Sequence, residues 1–168
     1  MIVVTLIICT LMNLAFESTD PSQKEKMATS NGMIMTWNIH GDQADITLHS
    51  PRQGWVAVGF NTKRALAGSM LIMCRVVDGK AEVVEHYVLA PGDYRPVNEL
   101  GSSPIVSGIS GMENEDGTTI SFTVPLGFSG PHHVQLLAGQ QYALHMAYSM
   151  EDDFQHHSIS RTLEQITL

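Results

Sequence analysis

The chain has 168 residues, with 17 Asp and Glu against 9 Lys and Arg and a formal net charge of −8. No Lys/Arg cluster occurs along it, so the counterion-release binding that nucleic acid requires has no footprint, and nucleic acid is not an expected partner. The length fits a single domain, and the acidic balance suits a soluble, non-adhesive exported protein.

The first charged residue is Glu17, and the apolar run IVVTLIICTLMNLAF before it is long enough for a secretion leader but short of the roughly 20 residues of a membrane span. Residues 1–18 are expected to be a signal peptide or, left uncleaved, an N-terminal anchor and the sole membrane attachment. Export then places the domain in the periplasm, at the cell surface or outside the cell. Cys9 belongs to this leader, which leaves Cys74 as a small apolar residue in SMLIMCRVV and no internal disulfide. Residues 19–31 lack large apolar side chains other than Met27 and read as a polar linker. The folded domain is expected over 32–168.

From Met33 the dominant period is two. In QADITLHS, Ala44, Ile46 and Leu48 alternate with Asp45, Thr47 and His49, the pattern of a strand with one wet face. MIMTWNIH before it completes a hairpin. GWVAVGF (54–60) and MLIMCRVV (70–77) are nearly continuous apolar runs, as in strands covered on both faces. Asp78-Gly79 separates two β-rich runs and predicts a hairpin turn. TTISFTVP, QYALHMAYSM and SRTLEQITL supply further strands, and no segment carries a capped helical stripe. The pattern predicts an all-β fold, a single antiparallel β-sandwich of immunoglobulin-like type.

Chemistry concentrates in MEDDFQHHSISR (150–161), where three acidic residues, two adjacent histidines and an arginine fall within one loop. His156 and His157 are neighbours, so in an extended segment they point to opposite faces and one of them enters a pocket. Asp152 or Asp153 is positioned to hydrogen-bond that ring or a nearby backbone group. Glu151, Asp152 and Asp153 lack the ligand offsets and the glycine of a calcium loop and read as a solvated acidic turn. Arg161 is a candidate for a ligand carboxylate, with an ion pair to Asp152 or Asp153 as its alternative. Trp55 is a candidate pocket wall, and Gly59 on the same face leaves room for a close approach. Met73 reads as core filling, and His132-His133 as an exposed turn. Scattered soft donors, Met33, Met35, Met146, His40 and His145, raise a copper site as a weaker alternative. No nucleophile elbow, phosphate-cradling loop or H-E-x-x-H helix is present, so a self-sufficient enzyme is not expected.

GWVAVGFN, then LAGSMLIMCRVVDGKAEVVEHYVLAPG, then ALHMAYSMEDDFQHHSISR together resemble the DOMON family. The resemblance implies an extracytoplasmic β-sandwich that binds heme b or a sugar, often beside a redox partner protein. It places one axial heme ligand at His156 or His157. The family's methionine ligand falls by register at Leu66 or Ala67, with Met70 the nearest thioether beyond. Joined to Arg161 and Trp55, which the residues themselves suggest, this makes the candidate site His156, His157, Met70, Arg161 and Trp55, with His156 and Met70 on the iron. The expected function is electron transfer through heme b, the alternative being a redox-silent module for carbohydrate or another partner.

Overall fold

The computed structural model describes residues 26–168, so the expected leader and most of the linker lie outside the described residues. It contains eleven strands: β1 (Lys26–Ser30), β2 (Met33–His40), β3 (Gln43–Ser50), β4 (Val56–Asn61), β5 (Met70–Val77), β6 (Lys80–Ala90), β7 (Asp93–Pro96), β8 (Ser107–Asn114), β9 (Gly117–Pro125), β10 (Gln141–Tyr148) and β11 (Ser160–Thr167). Among the described residues there is no helix. A five-stranded sheet in the order β1-β2-β3-β9-β8 packs on a six-stranded sheet in the order β11-β10-β4-β5-β6-β7, and every pairing is antiparallel. The predicted β-sandwich is the fold observed.

Alternation assigns the faces. In the first sheet Met33, Met35, Ala44, Ile46, Leu48, Ile120 and Phe122 point inward and are buried. They meet Val56, Val58 and Phe60 of β4, Ile72 and Cys74 of β5, and Leu144 and Met146 of β10 in one cluster between the sheets. Cys74 is fully enclosed there, and burial pushes its thiol far above the usual range, consistent with a packing role. The predicted Asp78-Gly79 hairpin is present, with both residues at positive φ (51° and 72°).

Three differences from the sequence reading have local causes. Lys26–Ser30, expected as linker, pairs with β2 through an Asn31-Gly32 turn, both residues again at positive φ. β8 is exposed along almost its whole length, so it carries no alternating apolar signal. The His132-His133 pair is packed, not exposed. Only 2% of the His133 side chain meets solvent, and its Nε2 lies 3.5 Å from Glu85 Oε2. Glu85 Oε1 in turn accepts backbone N–H groups from Ile105 and Val106 at 2.6 and 2.7 Å, which ties the segment before β8 to β6.

Phe122 is buried on the inter-sheet face of β9. Phe122→Ala should cost about 3–5 kcal/mol, read as a lower urea midpoint of unfolding with a β-type far-ultraviolet circular dichroism spectrum retained.

Candidate functional site

β4 is buried at every residue from Val56 to Asn61. One face is explained by the inter-sheet core. The other face, which in a two-layer sandwich would meet water, carries Trp55, Ala57 and Met73 as a second buried cluster, with Leu71, Tyr94, Ala147 and Phe154 packed against it. What covers this outer face is the 149–159 loop, folded back over the sheet as a strap.

Backbone pairing anchors the base of the strap. Trp55 N–H donates to Glu151 O at 3.0 Å, Ser149 N–H to Trp55 O at 2.9 Å, and Ile159 N–H to Tyr148 O at 2.9 Å. Gly54 makes this approach feasible: its φ is +115°, and a Cβ there would lie 2.7 Å from Ser149 O, the carbonyl carbon of Met150 and Glu151 N. Further out, Arg75 donates from Nη1 to Asp152 O at 2.9 Å and lies 4.7 Å from the centroid of the Phe154 ring, while its Nη2 pairs with Glu82 at 2.8 Å. Tyr94 Oη donates to Phe154 O at 2.8 Å. Beneath these rings sits His86, edge-on to Tyr94 at 5.4 Å and to Phe154 at 6.2 Å.

Beside the strap a cavity of about 330 Å³ opens on the same face. That is the lower end of small-molecule sites. Trp55, Ala57, Leu71 and Met73 form its floor, Val88 and Tyr94 close the β6–β7 side, and His156, His157, Ser158, Arg161 and Thr162 rim the strap side. The fourth wall comes from β10 and the loop between β4 and β5, where His145 and Leu66 line the space. That loop is stitched down by the buried Asn61, whose Nδ2 donates to Ala65 O at 2.7 Å, Ala67 O at 3.0 Å and Ser69 Oγ at 3.2 Å. Two buried polar atoms of lining residues, Trp55 Nε1 and Thr162 Oγ1, have no hydrogen-bond partner among the described residues.

Of the residues singled out in the sequence, Trp55, His156, His157 and Arg161 come together at this cavity, and Met70 does not. Met70 is fully buried between the sheets. It shares parity with Ile72 and Cys74, so its thioether is on the wrong side of β5 to meet the histidines. Met73, expected as core filling, is the methionine on the cavity face. The copper donor set is dispersed: Met33, Met35 and Met146 belong to the inter-sheet core, and His40 is exposed beside Asp45. Asp153 Oδ1 accepts the Gln155 N–H at 2.9 Å, turning the strap. Arg161 Nε donates to Ser158 Oγ, and among the described residues its guanidinium pairs with no carboxylate. His145 entered the sequence reading only as one of the scattered copper donors, and Tyr94 not at all. The alternation of QYALHMAY, which turns Leu144 and Met146 inward, already turns His145 outward toward the site.

Burial holds the His86 imidazole below its usual range, opposed by its hydrogen bond to Val84 O and by Glu99. Burial likewise lowers His145, against its hydrogen bond to Ala65 O and with help from Arg64. Burial and then Glu113 push the Asp152 carboxyl upward, with Arg75 opposing.

The sequence pattern of the DOMON domain matches residues 29–163. The chain belongs to the DOMON domain family. The fold of this DOMON domain is similar to the cytochrome domain of Myriococcum thermophilum cellobiose dehydrogenase, with a TM-score of 0.63 at 11% identity over 86% of this chain and 81% of that one. It is also similar to the cytochrome b domain of pyranose dehydrogenase from Coprinopsis cinerea, with a TM-score of 0.58 at 10% identity over 80% of this chain and 76% of that one. No curated protein matches the chain in sequence.

Two measurements follow from this geometry. Gly54→Ala should destabilise the DOMON domain by about 3 kcal/mol through positive-φ strain and backbone overlap, and limited proteolysis should then cut first within 149–159. His86, with its folded pKa below the unfolded value of 6.5, leaves the unfolded chain the better proton binder. Its effect is therefore absent above about pH 6.5, and stability is lost as pH falls from there to the folded pKa. Urea midpoints at pH 7 and pH 5 should differ less in His86→Phe than in the wild type.

Proposed function

We propose that this DOMON domain is an exported module that binds heme b in the cavity beside the strap and passes single electrons to a redox partner protein, without being a self-sufficient enzyme. The observation that carries the reading is one apolar slot on the outer sheet face at which imidazoles from two elements, a thioether and a guanidinium converge. That donor set suits heme iron, for which histidine and methionine are the ordinary axial ligands of electron-transfer cytochromes. Leu66, Leu71, Val88 and Ala147 supply apolar walls for a flat ring, and Arg161 supplies paired donors for a propionate. Both similar structures are cytochrome domains by name.

Within this reading, His156 or His157 would hold the iron from the strap, which Arg75 and Tyr94 anchor to the sheet at Asp152 and Phe154. Heme b, when bound, supplies a reversible one-electron couple whose potential is set by axial ligands, burial and hydrogen bonding. The sheet excludes water from one side of the slot, and the rim beside Arg161 gives a partner access to the edge.

A second reading is a redox-silent carbohydrate module. It is favoured by Trp55 Nε1, which is buried without a partner among the described residues and suits a ligand hydroxyl group. Titrating the full chain with hemin separates the two. We expect stoichiometric uptake, a low-spin visible spectrum and reversible reduction by dithionite. His156→Ala and His157→Ala should differ, one losing the low-spin spectrum and the other retaining it. No uptake of hemin, together with saturable binding of a sugar in a glycan panel, would establish the second reading and overturn the first.

A further inference from the structure

We propose that His86 is a proton-operated latch beneath the strap: when its imidazole gains a second proton, the tip of the strap lifts from the sheet and uncovers the cavity beside it. The opening is a property of this chain alone, and its use in admitting or releasing a ligand rests on the binding reading above.

His86 stands on the outer face of β6, opposite Leu71 on β5 and Pro96 on β7, and only 3% of it meets solvent. Neither sheet covers that face. What shields the imidazole is Tyr94, whose ring centroid lies 5.4 Å away, and Phe154 of the strap at 6.2 Å, both ring pairs T-shaped. These two residues also hold the strap, because Tyr94 Oη donates to Phe154 O at 2.8 Å and the Phe154 ring carries the Arg75 guanidinium 4.7 Å from its centroid. Val84 O, 3.1 Å from Nδ1, only accepts, so in the neutral ring Nδ1 carries the proton and Nε2 is the atom that gains a second. A desolvated imidazolium needs water or a carboxylate. Among the described residues no carboxylate pairs with His86, whereas lifting Phe154 admits water without breaking a strand pair. The new charge also sets a second cation against the ring that Arg75 already occupies, which weakens the contact fixing the strap.

The charged and titratable neighbours on each packed element set the sign. Burial disfavours the imidazolium more than Val84 O and Glu99, in the segment after β7, favour it, so the ring sits below its usual range while the strap is closed. Glu85, the preceding residue on β6, faces the other way, toward His133. Glu82 of β6 is engaged by Arg75 of β5, and Arg95 of β7 by Asp93. Burial raises the Tyr94 phenol, which stays neutral throughout the acid range. On the strap, Asp153 Oδ1 accepts the Gln155 N–H. Asp152, raised by burial and by Glu113, sheds like-charge repulsion when acid protonates it, which tightens the strap rather than lifting it. An open strap returns His86 to its ordinary value of 6.5, so the open form is the better proton binder. Opening is then independent of pH above about 6.5 and gains up to about tenfold for each pH unit below it, until the folded value is reached.

The test is hydrogen exchange of the ligand-free full-length chain, followed by mass spectrometry at pH 7 and pH 5 and normalised to the intrinsic chemical rate at each pH. Protection over 149–159 should fall by roughly tenfold between the two in the wild type, while β2, β3 and β9 keep theirs. In His86→Phe, which leaves an apolar ring beneath Phe154, the strap should be as protected at pH 5 as at pH 7, and in Asp152→Asn the wild-type fall should persist. A wild-type strap equally protected at both pH values overturns the latch. So does a fall that His86→Phe retains, that Asp152→Asn abolishes, or that the core strands share. Should His86→Phe not fold, nuclear magnetic resonance titration of the His86 ring in the wild type decides instead: the ring should charge with the midpoint at which the strap opens, and a ring that charges under a still-protected strap overturns the proposal. Hemin release should quicken at pH 5 in the wild type and not in His86→Phe. Absence of hemin uptake at either pH removes the heme reading and leaves the exchange result to decide the latch.

Discussion

The structure depends on one constraint: the two strands at the centre of the six-stranded sheet are apolar on both faces, although a two-layer sandwich covers only one. The pleat sends Val56, Val58 and Phe60 into the inter-sheet core and Trp55, Ala57 and Gly59 outward. An antiparallel sheet with a solvated face would show polar residues at those outward positions. Here the strap and the loop between β4 and β5 supply the missing third layer over part of that face. Leaving Trp55 and Met73 in water would forfeit roughly 1.5–3 kcal/mol for each side chain, so the cover contributes to stability as well as to the site.

The same arrangement explains why the site is rigid at its base and open at its rim. The strap leaves β10 and returns to β11 through backbone hydrogen bonds at Tyr148 and Ile159, with a further pair between 149–151 and Trp55. Its middle is fixed by the packing of Phe154 on the Trp55–Ala57–Met73 cluster, a cation–π contact and two side-chain bonds to main-chain carbonyls. Closing a loop of this length costs only a few kcal/mol of chain entropy, which those contacts offset. His156 and His157 both stay exposed at the tip, where a turn closed by the His156 N–H to Asp153 O bond replaces the extended segment expected, so neither ring is turned inward by alternation and both line the rim.

The fold was largely legible from the sequence because two-residue periodicity and Asp-Gly chemistry are local signals. The Asn31-Gly32 turn was equally local, but the short polar strand before it looked like linker. β8 was hidden for another reason: an exposed edge strand with Gly108 and Gly111 has no buried face to impose alternation. For the candidate site, residue type singled out Arg161 and Trp55, resemblance added His156 and His157, and all four line the cavity. Met70 was misplaced because resemblance gives a neighbourhood in the chain, whereas the side of a strand is decided by parity. Shifting attention by three residues, from Met70 to Met73, crosses the sheet.

Parity also shows what an apolar run on a central strand signifies. GWVAVGF and MLIMCRVV read as strands covered on both faces, and in an antiparallel sandwich continuous burial of a strand calls for a cover that the sheet topology does not provide. That cover must come from a loop, and a loop held against an apolar sheet face leaves voids where its backbone cannot fill the space between side chains. Around such a void the outward residues of every adjacent strand become lining residues, whatever their type. His145 on β10, Met73 on β5 and Val88 on β6 are therefore neighbours of the strap histidines because they share one face of one sheet, and residues this far apart in sequence acquire a common chemistry from register alone.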